Sequence, residues 1–212
     1  MGKLEKGILG GFIGKVGTVI GGRYRGLDYM KSKGPSTRKN NAPAQLEQKA
    51  KFALAFKFAR RMRKLFSITF DNKAAVMTAN NYGLGRVIAE SVTGVYPNFT
   101  IDYSKVPISR GSLELEPQPP VLSVAAGILK WQWVSNQNKN GADPKDRTIL
   151  VAFCPTFDHV AYDVHGPARE TNAATLDVTA FMGATVNTWI AFISEDGKRI
   201  SDSVYTGQIL VA

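Results

Sequence analysis

Cysteine and histidine are almost missing from this chain. Its 212 residues include one of the first, Cys154, and two of the second, His159 and His165. A single cysteine excludes an intramolecular disulfide framework and any cysteine-rich zinc module. The two histidines bracket one expected strand without a ligand pattern such as HExxH, so they are read as solvated or hydrogen-bonded strand residues. Cys154, in an apolar segment before Pro155, reads as a small buried hydrophobe. A phosphate loop is also missing. Gly14-Lys15 is followed by Val16 where Ser or Thr is required, and Leu9 stands where the first glycine should be. No glycine fingerprint opens a helix after a strand, and no apolar run is long enough to cross a membrane as a helix. Neither metal nor cofactor is called for.

What remains is ordinary in composition and uneven in charge. Hydrophobic residues make up 44% and charged residues 21%, which excludes a wholly disordered polymer and a polytopic membrane protein. The net charge is +10. Residues 1–70 carry 16 Lys or Arg against three acids, Glu5, Asp28 and Glu47, whereas residues 111–212 carry seven against 11. A basic third joined to a mildly acidic half points to a polyanionic partner, or to attraction between opposite ends of neighbouring copies.

Ten of the 20 glycines lie in the first 34 residues, within and around GILGGFIGKVGTVIGGRYRG. A free-standing helix there would lose about 1 kcal/mol per glycine relative to alanine. The segment is therefore expected to be an arm that gains order by docking, with Phe12, Ile13, Val16, Val19 and Ile20 as its assembly residues. Lys3 and Lys6 before apolar residues imitate a secretory signal, but Lys15 interrupts the stretch and no small-residue cleavage site follows. Met1-Gly2 fails as a myristoylation signal because Lys6 stands where Ser or Thr is needed. The chain is read as cytoplasmic in origin, with a virion as an alternative destination.

From Arg23 to Asn41 the chain is polar and basic and reads as an extended linker. A helix is expected to start near Pro43, with Phe52, Ala55, Phe56, Ala59, Met62 and Phe66 on one face and Lys57, Arg60, Arg61 and Lys64 on the other. A second helix is expected from Asp71 to about Val92, weakened by Gly83 and Gly85 and ended by Gly94. Thereafter short alternating segments favour strands: 99–103, 121–125, 127–134, 148–154, 159–164, 174–179, 188–194 and 201–205. The EPQPP cluster reads as a stiff hinge near residue 117.

The expected fold is α+β: a glycine-rich basic arm and linker over 1–42, a helical segment over 43–96, and an antiparallel β-sandwich of immunoglobulin or fibronectin type over 97–212. No catalytic residues emerge. Asp158 and Asp163, or Glu195 and Asp196, lie at strand ends or turns where solvated acids are normal. Trp131 and Trp133, two apart on one strand, face the same side and fit a core pair or a flat platform for sugar or base.

The basic third carries the functional signal. Lys15, Arg23, Tyr24, Arg25, Tyr29, Lys31, Lys33, Arg38 and Lys39 mix cations with aromatic rings, the combination that tracks a phosphate backbone and stacks bases. Lys57, Arg60, Arg61 and Lys64 add a positive helix face. The opening MGKLEKGILGGFIGKVGTVIGG, with AQLEQKAKFALAFKF, NFTIDYSKVPISRGSL and AFISEDGKRISDSVYTG, resembles a family of roughly 200-residue proteins from Bacteroidota without assigned function. The resemblance implies one recurrent unit and no activity.

The expected function is non-enzymatic. It is that of a self-assembling structural protein, such as a virion or shell subunit, whose basic arm meets neighbours or nucleic acid. The partners are then further copies of the chain and nucleic acid, with no small-molecule substrate. The alternatives are a nucleic-acid-associated protein that does not assemble, one that contacts an acidic protein, a membrane-surface or carbohydrate-binding module, and an enzyme using the sandwich as a carbohydrate or peptide platform, for which no catalytic constellation can be named.

Overall fold

The computed structural model describes residues 3–4, 10–24, 26–34, 42–71, 77–114, 120–134 and 142–212. The chain divides into two compact units, Met1–Gln45 and Leu46–Ala212. The expected hinge near residue 117 lies outside the described residues.

The first unit corrects the sequence reading. The glycine-rich segment is an antiparallel sheet in the order β1 (Lys3–Leu4), β2 (Phe12–Val16), β3 (Val19–Tyr24) and β4 (Leu27–Ser32). Glycine permits it at two kinds of position. Gly17 (φ 58) and Gly26 (φ 84) supply the positive dihedrals in the short β2–β3 and β3–β4 connections. Gly21 and Gly22 leave room on opposite faces of β3: a Cβ on Gly21 would meet Phe12 O at 2.1 Å, and one on Gly22 would meet the Tyr29 hydroxyl at 2.7 Å. Within the expected linker, Arg23 and Tyr24 are thus the end of β3, and Leu27–Ser32 is the whole of β4.

Helix α1 (Pro43–Arg61), which continues into the second unit from Leu46, begins where proline favours it. It yields at Met62 to α2 (Arg63–Thr69). The buried stripe is Ala55, Phe58, Ala59, Met62, Leu65 and Phe66. Phe52 and Phe56, expected on it, are exposed. They sit at the edge of the apolar face, because each four-residue step along a helix advances about 40° beyond a full turn. The next helix, α3 (Ala79–Glu90), starts later than expected. Its cap is Thr78, whose Oγ1 accepts the Asn81 N–H at 3.3 Å; Asp71 is not its cap. It also stops short of Val92, which opens the hairpin of β5 (Val92–Val95) and β6 (Asn98–Ile101).

The later strands build two sheets. One has the order β11 (Ala173–Asp177), β8 (Ile128–Gln132), β7 (Val121–Ala125). The other has the order β10 (His159–Asp163), β9 (Arg147–Cys154), β12 (Thr185–Ile193), β13 (Val204–Leu210). Strands β9 and β12 are buried on both faces, which explains their nearly unbroken apolar sequences. Leu150, Ala152, Cys154, Val186, Ile190 and Phe192 join Leu129, Trp131, Trp133, Ala174 and Leu176 in one cluster. Ile149, Val151, Phe153, Trp189 and Ala191 join Phe58, Met62, Leu65, Phe66 and Phe70 in the other. The helices and the later strands therefore share a core.

Among the described residues, one ion pair is fully withdrawn from water. Arg169 Nη2 lies 3.2 Å from Asp146 Oδ2, with both side chains 1% exposed, and the guanidinium carbon sits 3.9 Å from the centre of the Phe192 ring. The Arg169 backbone carbonyl accepts the Trp133 indole N–H at 2.9 Å. Replacing Asp146 by alanine removes this buried carboxylate from beside the guanidinium and is expected to lower stability, read as a fall in the urea unfolding midpoint.

Gly83 and Gly85 give a sharper test on a single helix. A Cβ at Gly83 would lie 2.7 Å from the Phe66 ring and 3.0 Å from Phe70, whereas Gly85 has open space. Gly85→Ala is expected to stabilise by up to about 1 kcal/mol through helix propensity. Gly83→Ala is expected to destabilise by about 1–3 kcal/mol through overpacking, and urea midpoints moving in the same direction would contradict this account.

Candidate assembly sheet and basic groove

Cross-strand pairs place side chains on a common face, so the register of the N-terminal sheet sorts its residues. Lys15, Ile20 and Lys31 form one row; Gly22 and Tyr29, then Tyr24 and Leu27, form further rows on the same face. Val16, Val19 and Ser32 form a row on the opposite face, with Gly14, Gly21 and Met30 in the next row of that face. Every residue of β4 is exposed, including Leu27 at 75% and Met30 at 72%. Ile13, Val16, Val19, Tyr24 and Tyr29 are exposed as well, while Phe12 and Ile20 are half-buried.

The expected nucleic-acid residues separate into distinct settings. Lys15 and Lys31 flank Ile20, and Arg23 pairs with Asp28 at 2.9 Å. Lys33 is exposed, its N–H donating to Thr18 O at 2.7 Å. Arg25, Arg38 and Lys39 lie outside the described residues. On α1, Arg61 donates to Asp158 Oδ2 through Nη2 at 2.8 Å and Nε at 3.2 Å, and Lys57 Nζ stands 4.0 Å from the same oxygen. Two of the four expected helix cations are thus held by a carboxylate of the chain itself. Arg60 and Lys64 are exposed and, among the described residues, have no acidic partner.

Arg60 belongs to a groove that the sequence reading did not anticipate. It has a volume of about 470 Å³ and is lined by Phe56, Ala59, Arg60 and Arg63 on one side and Thr78, Asn80, Asn81 and Leu84 on the other. Phe52, Phe56, Arg60 and Arg63 follow at spacings of four, four and three, which places them on one stripe of helix. The Phe52 and Phe56 rings stack with centroids 5.8 Å apart and planes 12° apart. The second wall comes from α3, about 20 residues further on, so no local spacing in the sequence marks the groove.

Trp131 and Trp133 are buried, and the Trp131 indole N–H donates to Thr206 Oγ1 at 3.1 Å, so neither offers a platform. Cys154 is buried. His159 and His165 are exposed, the first against the edge of Phe181. Among the described residues, no group of three Cys, His, Asp or Glu is placed to hold a metal, and no helix is long and apolar enough to cross a membrane. Burial pushes the Tyr103 hydroxyl up, and the charge of Asp158 adds to this.

The profile of a family of unknown function, DUF6266, matches residues 11–207, and the chain belongs to that family. No curated protein and no solved structure matches it.

Three carboxyls, Asp102, Asp177 and Asp196, are held below the ordinary range, first by the hydroxyls of Ser104, Thr179 and Ser194. A lowered folded value means that their contribution to stability is present at neutral pH and is lost as pH falls through that value. Thermal melts are expected to show these contributions intact at pH 6–8 and fading below about pH 4, with a shallower acid dependence in Asp177→Asn.

Proposed function

We propose that this chain is a non-enzymatic structural protein that assembles with copies of itself through its N-terminal sheet, in the manner of a virion or shell subunit formed in the cytoplasm. The observation that carries this reading is the sheet itself. Its described strands present apolar side chains on both faces, and the outer strand β4 is exposed along its whole length. Such a sheet gains stability by being covered, and an exposed edge strand pairs readily with another chain. Strand β4 offers both apolar contact and unpaired backbone to a second copy.

The later strands support a fibronectin-like sandwich as the body of the subunit. Lettering β7 to β13 as A, B, C, C′, E, F and G turns the two observed orders into A-B-E and C′-C-F-G. Three and four strands across a common core is the arrangement this architecture uses. Nucleic acid is the proposed cargo: Lys15, Lys31, Tyr24 and Tyr29 share one sheet face, cations beside rings. The same face supports the second reading, nucleic-acid binding without assembly.

Sedimentation of the native chain across a concentration series is expected to give a multi-copy species. Deletion of residues 1–34, or the double substitution Leu27→Lys and Met30→Lys, is expected to reduce it to single copies, because an edge lysine disfavours strand pairing. A native chain that stays a single copy at high concentration would end the assembly reading.

A further inference from the structure

The groove between α1–α2 and the start of α3 presents two guanidinium groups and a flat aromatic ring in one concavity. Arg60 and Arg63 line it and, among the described residues, neither has an acidic partner. Elsewhere on the same helix, Lys57 and Arg61 are neutralised by Asp158. Positive charge is therefore retained at the groove and cancelled beside it. Phe56 lines the same groove with half of its surface open to solvent, and Phe52 stacks on it from one turn before. Nothing in the core requires these two rings outside: the buried stripe is completed by Ala55, Phe58, Ala59 and Met62.

From these features we infer that the groove is a single-stranded nucleic-acid site, in which Arg60 and Arg63 hold backbone phosphates while a base lies against Phe56. Charge complementarity selects an anion, and the ring selects the kind of anion. An acidic peptide would satisfy the guanidinium groups but has no flat partner for Phe56, whereas every base has a π-face. The volume of about 470 Å³ falls within the range of small-ligand sites, roughly 300–1,000 Å³. Asn80 adds a hydrogen-bonding edge. Its Oδ1 is buried and has no donor among the described residues, so an N–H of a base can occupy it.

This inference rests on the nucleic-acid part of the proposed function and is independent of assembly through the N-terminal sheet. It locates contacts in the second unit and brings in Arg63, Asn80 and Phe56 beside the cations read from the sequence.

The test is fluorescence anisotropy of a labelled 12-nucleotide deoxythymidine strand with the full chain, titrated at several salt concentrations. The native chain is expected to bind with an affinity that falls steeply with salt. Arg60→Gln with Arg63→Gln is expected to weaken binding and reduce the slope of log affinity against log salt by about 1.4, the value for two phosphates on a single strand. Phe56→Ala is expected to weaken binding by about 5-fold to 150-fold without changing the slope, because stacking releases no counterions. All the replaced side chains are exposed, and far-ultraviolet circular dichroism with sedimentation is expected to show folding and particle size unchanged. Native binding that these variants leave intact would overturn the groove while sparing a nucleic-acid role for the N-terminal sheet. Absence of native binding would overturn both. Equal displacement of the strand by poly-glutamate would reassign the groove to an acidic protein.

Discussion

The pairing of β9 with β12 is the constraint on which the second unit depends. These two strands share a register from Asn187 opposite Phe153 to Ile193 opposite Arg147. Because successive side chains point to opposite faces, that single register feeds two clusters at once. Leu150 and Ile190 face the three-stranded sheet, while Val151 and Trp189 face the helices. A slip of one residue would exchange the two sets, placing small residues against the aromatic cluster of Phe58, Tyr103 and Phe153. The buried polar groups point the same way. Thr188 donates to Gly207 O at 2.8 Å, and Thr206 and Thr188 are joined hydroxyl to hydroxyl at 2.8 Å, so a polar row buried beside β13 fits one alignment of the strands.

The two units use opposite solutions to the same problem. The central sheet of the second unit is covered on both sides, and its inner strands carry long apolar sequences. The sheet of the first unit is built from glycine, lysine and single apolar residues, and its outer strand is exposed throughout. The assembly proposed above would cover the first sheet. The charge pattern has a similar logic. Asp158 stands beside Lys57 and Arg61, whereas Arg60 and Arg63, at the groove, have no acidic partner among the described residues.

Much of the first helix and of the later strands was legible in the sequence. Pro43 marked the start of α1, and Val121–Ala125 and His159–Asp163 emerged within a residue of their limits, because short alternating segments between turn residues have few other readings. The hairpin of β5 and β6 was not, because Gly94 looks like a helix terminator. It lies instead in a strand, at φ 98, where a Cβ would meet Asn98 O at 2.5 Å. The N-terminal sheet was missed for a related reason. Glycine counts suggest lack of order, but only the register reveals that Gly21 and Gly22 lie beneath Phe12 and Tyr29. The groove was only half visible: Arg60 stood out within a basic helix, whereas Asn80 and Leu84 reach it through tertiary packing.

The burial of Cys154 within the inner cluster has a practical consequence. Since it is the one thiol of the chain and is closed to solvent, the native fold offers no reactive sulfur to a maleimide dye. A cysteine introduced at an exposed position such as Ser32 would then carry the only label, and contact between the outer strands of two copies would be readable as a distance between dyes.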